Sequence, residues 1–294
     1  MSFSAASKTE TKSVLLNDWA IAIPGRAGSL CRNQYVLDLS RKEVRDHAFE
    51  SVAAVLHSAN IEYVKWDMNR QLSDLGSVEL PVDRQGELYH RYVLGVYELQ
   101  DRLLQEFPHL LLENCSGGGA RFDPGMLYYS PQIWCSDDMD AIERLKIQEG
   151  TMLLYPLSTM GPNHTVGRVT PFETRGHVAL AGTFGYELDI TKIPEEDRQQ
   201  IPAQTAMYHK YNDLIRRGDY SRIASFLENG NYDCYQVTSK DQKEALVTYV
   251  QVLSRPNFHS RRVRLKGLAP EKQYRIEETG EIFGGDVLMQ AGLL

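Results

Sequence analysis

Residues able to do acid–base or nucleophilic chemistry gather in three short stretches of this 294-residue chain. The first is Ile61-Glu62-Tyr63-Val64-Lys65-Trp66-Asp67-Met68-Asn69-Arg70. Alternate side chains of a strand share a face, so a strand here sets Lys65, Asp67 and Asn69 on one side. In a (β/α) barrel that side is the lumen, normally apolar, with chemistry at the C-terminal strand ends. A Lys-Asp-Asn stripe there is costly unless it binds something; a solvent-facing edge strand or a structural Lys–Asp pair would need no ligand. The second stretch is Leu112-Glu113-Asn114-Cys115-Ser116-Gly117-Gly118-Gly119-Ala120-Arg121. Its glycines permit positive φ and close backbone approach, to a ligand or merely in a turn. A phosphate loop would need G-x-x-x-x-G-K-[ST], which is absent. The third is Trp134-Cys135-Ser136-Asp137-Asp138-Met139-Asp140. Asp138 and Asp140 suit helix capping. Asp137, nearest the strand end, can face a barrel mouth.

Carboxylates at the ends of separate βα units are what glycoside hydrolysis needs: one attacks or activates water, the other protonates the leaving oxygen. Metal catalysis competes for clustered acids, but His164 and His177 lack ligand-like spacing to them. No cofactor or metal is implied.

The elements that position these groups alternate. Val14–Ile23 reads as a strand ending at Pro24-Gly25. Ser40-x-x-Glu43 reads as a capping box ahead of Val44, Ala48, Val52, Val55 and Ala59, the buried face of a helix. Ile61–Asn69 is a strand. Leu88, Tyr92, Val96, Leu99 and Leu103 mark a second helix, broken by Pro108 ahead of Leu110-Leu111-Leu112. Ile133–Ser136, Met152–Tyr155 and Thr183–Ile190 read as strands, with helices over Asp140–Gln148 and Phe172–Ala181. About six βα units precede residue 190, fewer than the eight of a closed barrel of ~250 residues. From about Asp233 short strands take over: Tyr235–Val237, Ala245–Leu253, Arg261–Leu265, Tyr274–Ile276 and Val287–Met289. The fold predicted is α/β: an incomplete (β/α)8 TIM-type barrel followed by a small C-terminal antiparallel β-domain. The domains predicted are a disordered leader (1–12), a partial catalytic barrel (13–232) and a C-terminal β-sandwich domain (233–294).

A net charge of −7 argues against a nucleic-acid partner held through phosphates. The basic run His259-Ser260-Arg261-Arg262 reads as a solvated face. No apolar run approaches the ~20 residues of a membrane helix. Cys31, Cys115, Cys135 and Cys234 show neither C-x-x-C spacing nor a disulfide framework. The Ser/Thr/Lys-rich N-terminus lacks the apolar core of a signal peptide, which favours a cytoplasmic location unless truncation has removed a signal. Asn163-His164-Thr165 and Asn114-Cys115-Ser116 fit the glycosylation pattern; the second is read as coincidence.

The runs Lys65–Arg70, Glu113–Gly119 and Trp134–Asp138, with Asp18-Trp19, Arg32–Asp38 and Gly161-Pro162-Asn163-His164, resemble the α-galactosidases of glycoside hydrolase family 36 from about residue 14 to the C-terminus. The resemblance implies retaining hydrolysis of terminal α-galactose from raffinose- or melibiose-type saccharides, with Asp67 as nucleophile and Asp137 as general acid/base. It implies that Arg32 and Lys65 bind sugar hydroxyls, and that Asn69 reaches a hydroxyl or orients Asp67. Lys65 should also keep Asp67 ionised. Cys115 and Gly117 would form the wall near the sugar's 2-position. Partners implied are small α-galactosides, and family members commonly form tetramers. Within the family, an α-N-acetylgalactosaminidase or a raffinose-synthase-like transferase is an alternative; a non-catalytic galactoside-binding remnant is another. Relative to the family, the large N-terminal β-domain and the first two barrel strands are missing. Those strands carry a paired-aspartate motif and a tryptophan that grip the 4- and 6-hydroxyls. The C-terminal domain also stops short, at Gly292-Leu293-Leu294. The chain is therefore expected to be a fragment with weak or no turnover alone, because an unclosed barrel exposes strand edges.

Overall fold

The computed structural model describes residues 2–4, 19–26, 28–161, 170–257 and 260–294, which fall into two compact units, 1–137 and 138–294. In the first unit β1 (Ser2–Ser4), β2 (Tyr63–Asp67), β3 (Leu111–Cys115) and β4 (Gln132–Ile133) form one parallel sheet in that order. Residues 2–4 were predicted as part of a disordered leader; their backbone instead pairs with Lys65–Asp67. Of the strand predicted over Val14–Ile23, residues 14–18 lie outside the described residues, and Ala20 makes only a single bridge to Leu37.

Helices α1 (Lys42–Ser58), α2 (Leu88–Glu106) and α3 (Pro124–Tyr129) cross over between the strands. Helix α2 buries Leu88, Tyr92, Val96, Leu99 and Leu103, the face its 3.6-residue period predicts. It stops at Glu106 because the residue before Pro108 is pushed out of the helical region. The capping box predicted for α1 does not form. Its N-cap is Arg41, because the Ser40 hydroxyl donates to Asp38 Oδ1 and Arg41 Nε donates to Glu43 at 2.7 Å. Past β4 the Trp134 N–H still donates to the Asn114 carbonyl at 2.9 Å, but the strand itself ends at Ile133, short of the predicted Ser136.

In the second unit, Asp140 caps α4 (Ala141–Met152) as predicted, accepting from the N–H groups of Ile142 and Glu143 at 2.9 and 3.2 Å. Helices α5 (Phe172–Ala179), α6 (Glu195–Arg198) and α7 (Ile201–Arg217) follow. Two predicted strands are absent. Residues 153–155 wind off the end of α4, with Leu154 and Tyr155 N–H groups both donating to Thr151. In 183–190 the rings of Phe184 and Tyr186 pack on Tyr208 and Phe172 rather than lining a ladder. An antiparallel sheet joins β5 (Asp219–Ala224), β6 (Tyr232–Thr238) and β7 (Ala245–Gln251), so strand texture begins earlier than residue 233. Helix α8 (Phe226–Asn229) sits between β5 and β6 in sequence, and β8 (Gln273–Arg275) pairs with β9 (Ile282–Gly284). Val287–Met289, predicted as a strand, belongs to α9 (Gly285–Gln290), which buries Leu288 against Leu265 and Leu268. Arg261–Leu265 makes one bridge, Val263 to Leu293. Among the described residues no helix is long and apolar enough to cross a membrane.

This unit also buries a pair of acids. Glu149 accepts from Arg222 Nη1 and Ser225 Oγ, both at 2.7 Å, and Asp233 accepts from the Phe226 N–H at 3.2 Å. Burial raises Asp233 to about 6; the Phe226 N–H opposes the rise and the Glu149 charge adds to it. The folded chain therefore holds this proton over a range where the unfolded chain has lost it. The stability involved is present below the unfolded carboxylate's pKa and is lost as pH rises to about 6. A rise of this size is worth on the order of 3 kcal/mol. Asp233→Asn, neutral at every pH, is expected to melt several degrees above the parent at pH 7.5 and to converge with it at pH 4. Calorimetry at both pH values checks this, and a pH-independent gap would contradict it.

Candidate active site

The parallel register brings the three stretches to one edge of the sheet. Lys65, Trp66 and Asp67 on β2 stand opposite Glu113, Asn114 and Cys115 on β3. Asp67, the last residue of β2, is only 9% exposed. Its Oδ2 accepts from Asn69 Nδ2 at 2.7 Å. Oδ1 is buried, and no nitrogen or oxygen donor reaches it among the described residues. An orphaned carboxylate oxygen is expensive in a folded protein and is a common mark of a reacting group. Beside it, the Cys115 thiol is pushed up to about 12, mainly by burial; a Gly118 backbone bond opposes the rise, and the Asp67 carboxylate adds to it both as a charge and as an acceptor for the thiol. Cys115 is therefore a protonated thiol rather than a nucleophile.

Lys65 was predicted to sit against Asp67. Its ion pair is instead with Glu113, 3.8 Å away, and its ammonium lies 4.6 Å from the centre of the Trp134 ring. Glu113 is buried and also accepts from the Tyr63 hydroxyl and from Gln132 Nε2. Lys65 still lowers the Cys115 thiol, so its charge reaches the same floor.

The glycine loop explains how Asp137 arrives here. Gly117 and Gly118 have φ of +49° and +84°, a bend that L side chains rarely adopt. A Cβ on Gly118 would meet the Asp137 nitrogen at 2.7 Å, and one on Gly119 the Cys135 carbonyl at 2.2 Å. The backbone that presents Asp137 is therefore laid against the loop leaving β3, and the Asp137 side chain is exposed. Asn114, beneath, is fully buried, bonded to Gln100 and Ser130, so its glycosylation pattern is a coincidence of sequence. Asn163 and His164 lie outside the described residues, as do Asp18 and His259.

Arg32 is carried on a turn, Cys31–Gln34, in which Arg32 and Asn33 have φ of +53° and +57°. Arg70, quoted in the sequence motif without a role, holds that turn. Buried, it donates to the carbonyls of Gln34 at 3.3 Å and Ser29 at 2.5 Å and to Ser73 Oγ at 2.8 Å. Arg32, Asn69 and Gly117 line one cavity of about 740 Å³, which Tyr92 and Arg121 also line. The roles of Arg70, Glu113 and Arg121 escape sequence reading because their partners are carbonyls, a strand neighbour and a thioether 36 to 53 residues away. For Glu113 the signal available was a charge directly after the apolar run Leu110-Leu111-Leu112.

Two family models cover the chain: Melibiase over residues 7–218, and the glycosyl hydrolase family 36 C-terminal domain over residues 232–294. The chain belongs to glycoside hydrolase family 36. It is 51% identical over 282 residues to α-galactosidase AgaA of Geobacillus stearothermophilus, covering 94% of this chain and 38% of that one. It is 48% identical over 281 residues to an α-galactosidase of Lactobacillus acidophilus, again 94% and 38%. The crystal structure of AgaA superposes with a TM-score of 0.89 over 94% of this chain and 39% of that chain. That of an α-galactosidase from Lactobacillus brevis gives 0.93 at 44% identity, over 99% and 40%. The family fold, a TIM barrel with a C-terminal β-domain, is thus the fold to which this chain's elements belong. The chain spans under two-fifths of the length of these curated relatives.

Proposed function

We propose that this chain carries the two carboxylates of a retaining α-galactosidase, Asp67 as nucleophile and Asp137 as general acid/base. The observation that carries the reading is the Asp67 carboxylate at a strand end: Asn69 donates to Oδ2, and among the described residues no nitrogen or oxygen donor reaches the buried Oδ1. Asp137 follows β4, two steps across the sheet from β2. Two interstrand steps span about 9.6 Å, and side chains leaning in from both strands narrow that toward the ~5–5.5 Å of retaining pairs.

In the first step Asp67 Oδ1 attacks the anomeric carbon while the bond to the leaving oxygen breaks and Asp137 gives that oxygen its proton. In the second, the Asp137 carboxylate takes a proton from water, whose oxygen attacks the same carbon and expels Asp67. Two inversions return the α configuration. Arg32 and Lys65 hold sugar hydroxyls in this reading. The Cys115 and Gly117 wall leaves room for a plain 2-hydroxyl. Crystal structures of AgaA variants in complex with stachyose and with raffinose support galacto-oligosaccharides as substrates.

Proton NMR of the early product from p-nitrophenyl α-galactoside tests this. α-Galactose is expected first, with α-N-acetylgalactosaminide cleaved at least about tenfold more slowly, as a steric pocket allows. β-Galactose first would assign inversion. No turnover with galactose-dependent thermal stabilisation would assign binding alone.

A further inference from the structure

Met68 lies between the proposed nucleophile and its orienting amide, and every part of it is tied down. Its N–H donates to the Cys115 carbonyl at 3.1 Å, and its own carbonyl accepts from Ser116 Oγ at 3.2 Å. Its sulfur receives two donors, Arg121 Nη2 at 3.0 Å and the Tyr92 hydroxyl at 3.2 Å. Arg121 Nη2 also lies 3.1 Å from the Tyr92 oxygen, closing a triangle. All three side chains are buried, with exposures of 8% for Met68, 3% for Tyr92 and 8% for Arg121. Burial raises the Tyr92 phenol, which therefore keeps its proton as a donor.

The arrangement is poor as a device for stability. Arg121 makes no ion pair among the described residues, and a thioether is a weak acceptor. A buried guanidinium directed at such a partner breaks the usual rule for buried charge, and such breaks concentrate at functional sites. Arg121 also leaves the glycine loop whose backbone abuts Asp137, so one segment contacts both halves of the site.

We infer that Arg121 and Tyr92 are positioning residues that act through the Met68 sulfur to hold the Asp67 carboxylate at its angle of attack. The inference rests on Asp67 being the nucleophile. A displacement of about 1 Å at a reacting atom can lower a rate by up to ~10²-fold.

The test is a cycle of variants. Met68→Leu keeps the volume and removes the acceptor. It is expected to lower kcat on p-nitrophenyl α-galactoside about tenfold, with KM within about threefold. In an Asp67→Ala background supplied with azide, the attacking group is external, so adding Met68→Leu is expected to change the rescued rate less than twofold. An equal loss in both backgrounds, or no loss in either, overturns the positioning role. Tyr92→Phe is carried through the same cycle and decides the matter if Met68→Leu does not melt cooperatively; loss of folding in both assigns the triangle to the core and also overturns it. Asp67→Ala alone distinguishes the two failures: if it stays active without azide, the reading of Asp67 is wrong and this inference goes with it.

Discussion

Asp67→Ala is expected to lower turnover of p-nitrophenyl α-galactoside by at least about 10³-fold, the scale seen when a nucleophile is removed. Azide is expected to restore part of the rate and to give β-galactosyl azide, because the azide enters the vacated space on the face that Oδ1 occupied and only one inversion then takes place. The same substitution should not unfold the chain. Among the described residues no nitrogen or oxygen donor reaches the buried Asp67 Oδ1, so the carboxylate is held at a cost to stability, and alanine removes that cost. A melting temperature equal to or above the parent's is the expected companion result, in line with the usual opposition between stability and activity at reacting groups. Retention of more than a tenth of the parent rate would contradict the assignment.

The second large effect depends on the leaving group. Asp137→Ala is expected to lower turnover of raffinose by about 10²- to 10⁴-fold, the range for loss of a general acid. With a 2,4-dinitrophenyl leaving group, which departs without a proton, the first step should stay near the parent rate. Hydrolysis of the covalent ester then limits turnover, because no base activates water. Azide needs no base, and after attack by Asp67 it is expected to yield α-galactosyl azide. The opposite anomers from the two variants separate the roles of the two acids. Asp137 is exposed and follows a two-residue strand, so its removal is expected to leave stability within about 0.5 kcal/mol. Equal losses on both substrates would contradict an acid/base role.

What could be read from the chain beforehand was local. The α2 face, the stop before Pro108, the Asp140 cap and the core of the strand predicted over Ile61–Asn69, observed as Tyr63–Asp67, each depend on residues within one or two turns. The failures came where a competing partner, near or far along the chain, prevailed. The pattern at Ser40 and Glu43 fits a capping box, but Asp38 and Arg41 take both side chains first. Val287–Met289 has strand composition, yet Leu288 is buried only because α9 presents it to Leu265 and Leu268. The same division holds in the site. Asn69 and Asp67 are two residues apart, so their hydrogen bond was foreseeable. Lys65 finds Glu113 across a strand pairing that the sequence does not display. Sulfur is rarely considered as a partner for arginine, and the Arg121–Met68 contact had no pattern to announce it.

The most direct measurement is the covalent one. The chain should be incubated with a galactose-configured cyclophellitol aziridine, digested and sequenced by mass spectrometry. The label is expected on the carboxylate of Asp67, to be blocked by excess galactose and to be absent from Asp67→Ala. A label on Asp137, or labelling that survives in Asp67→Ala, would show that another group performs the attack.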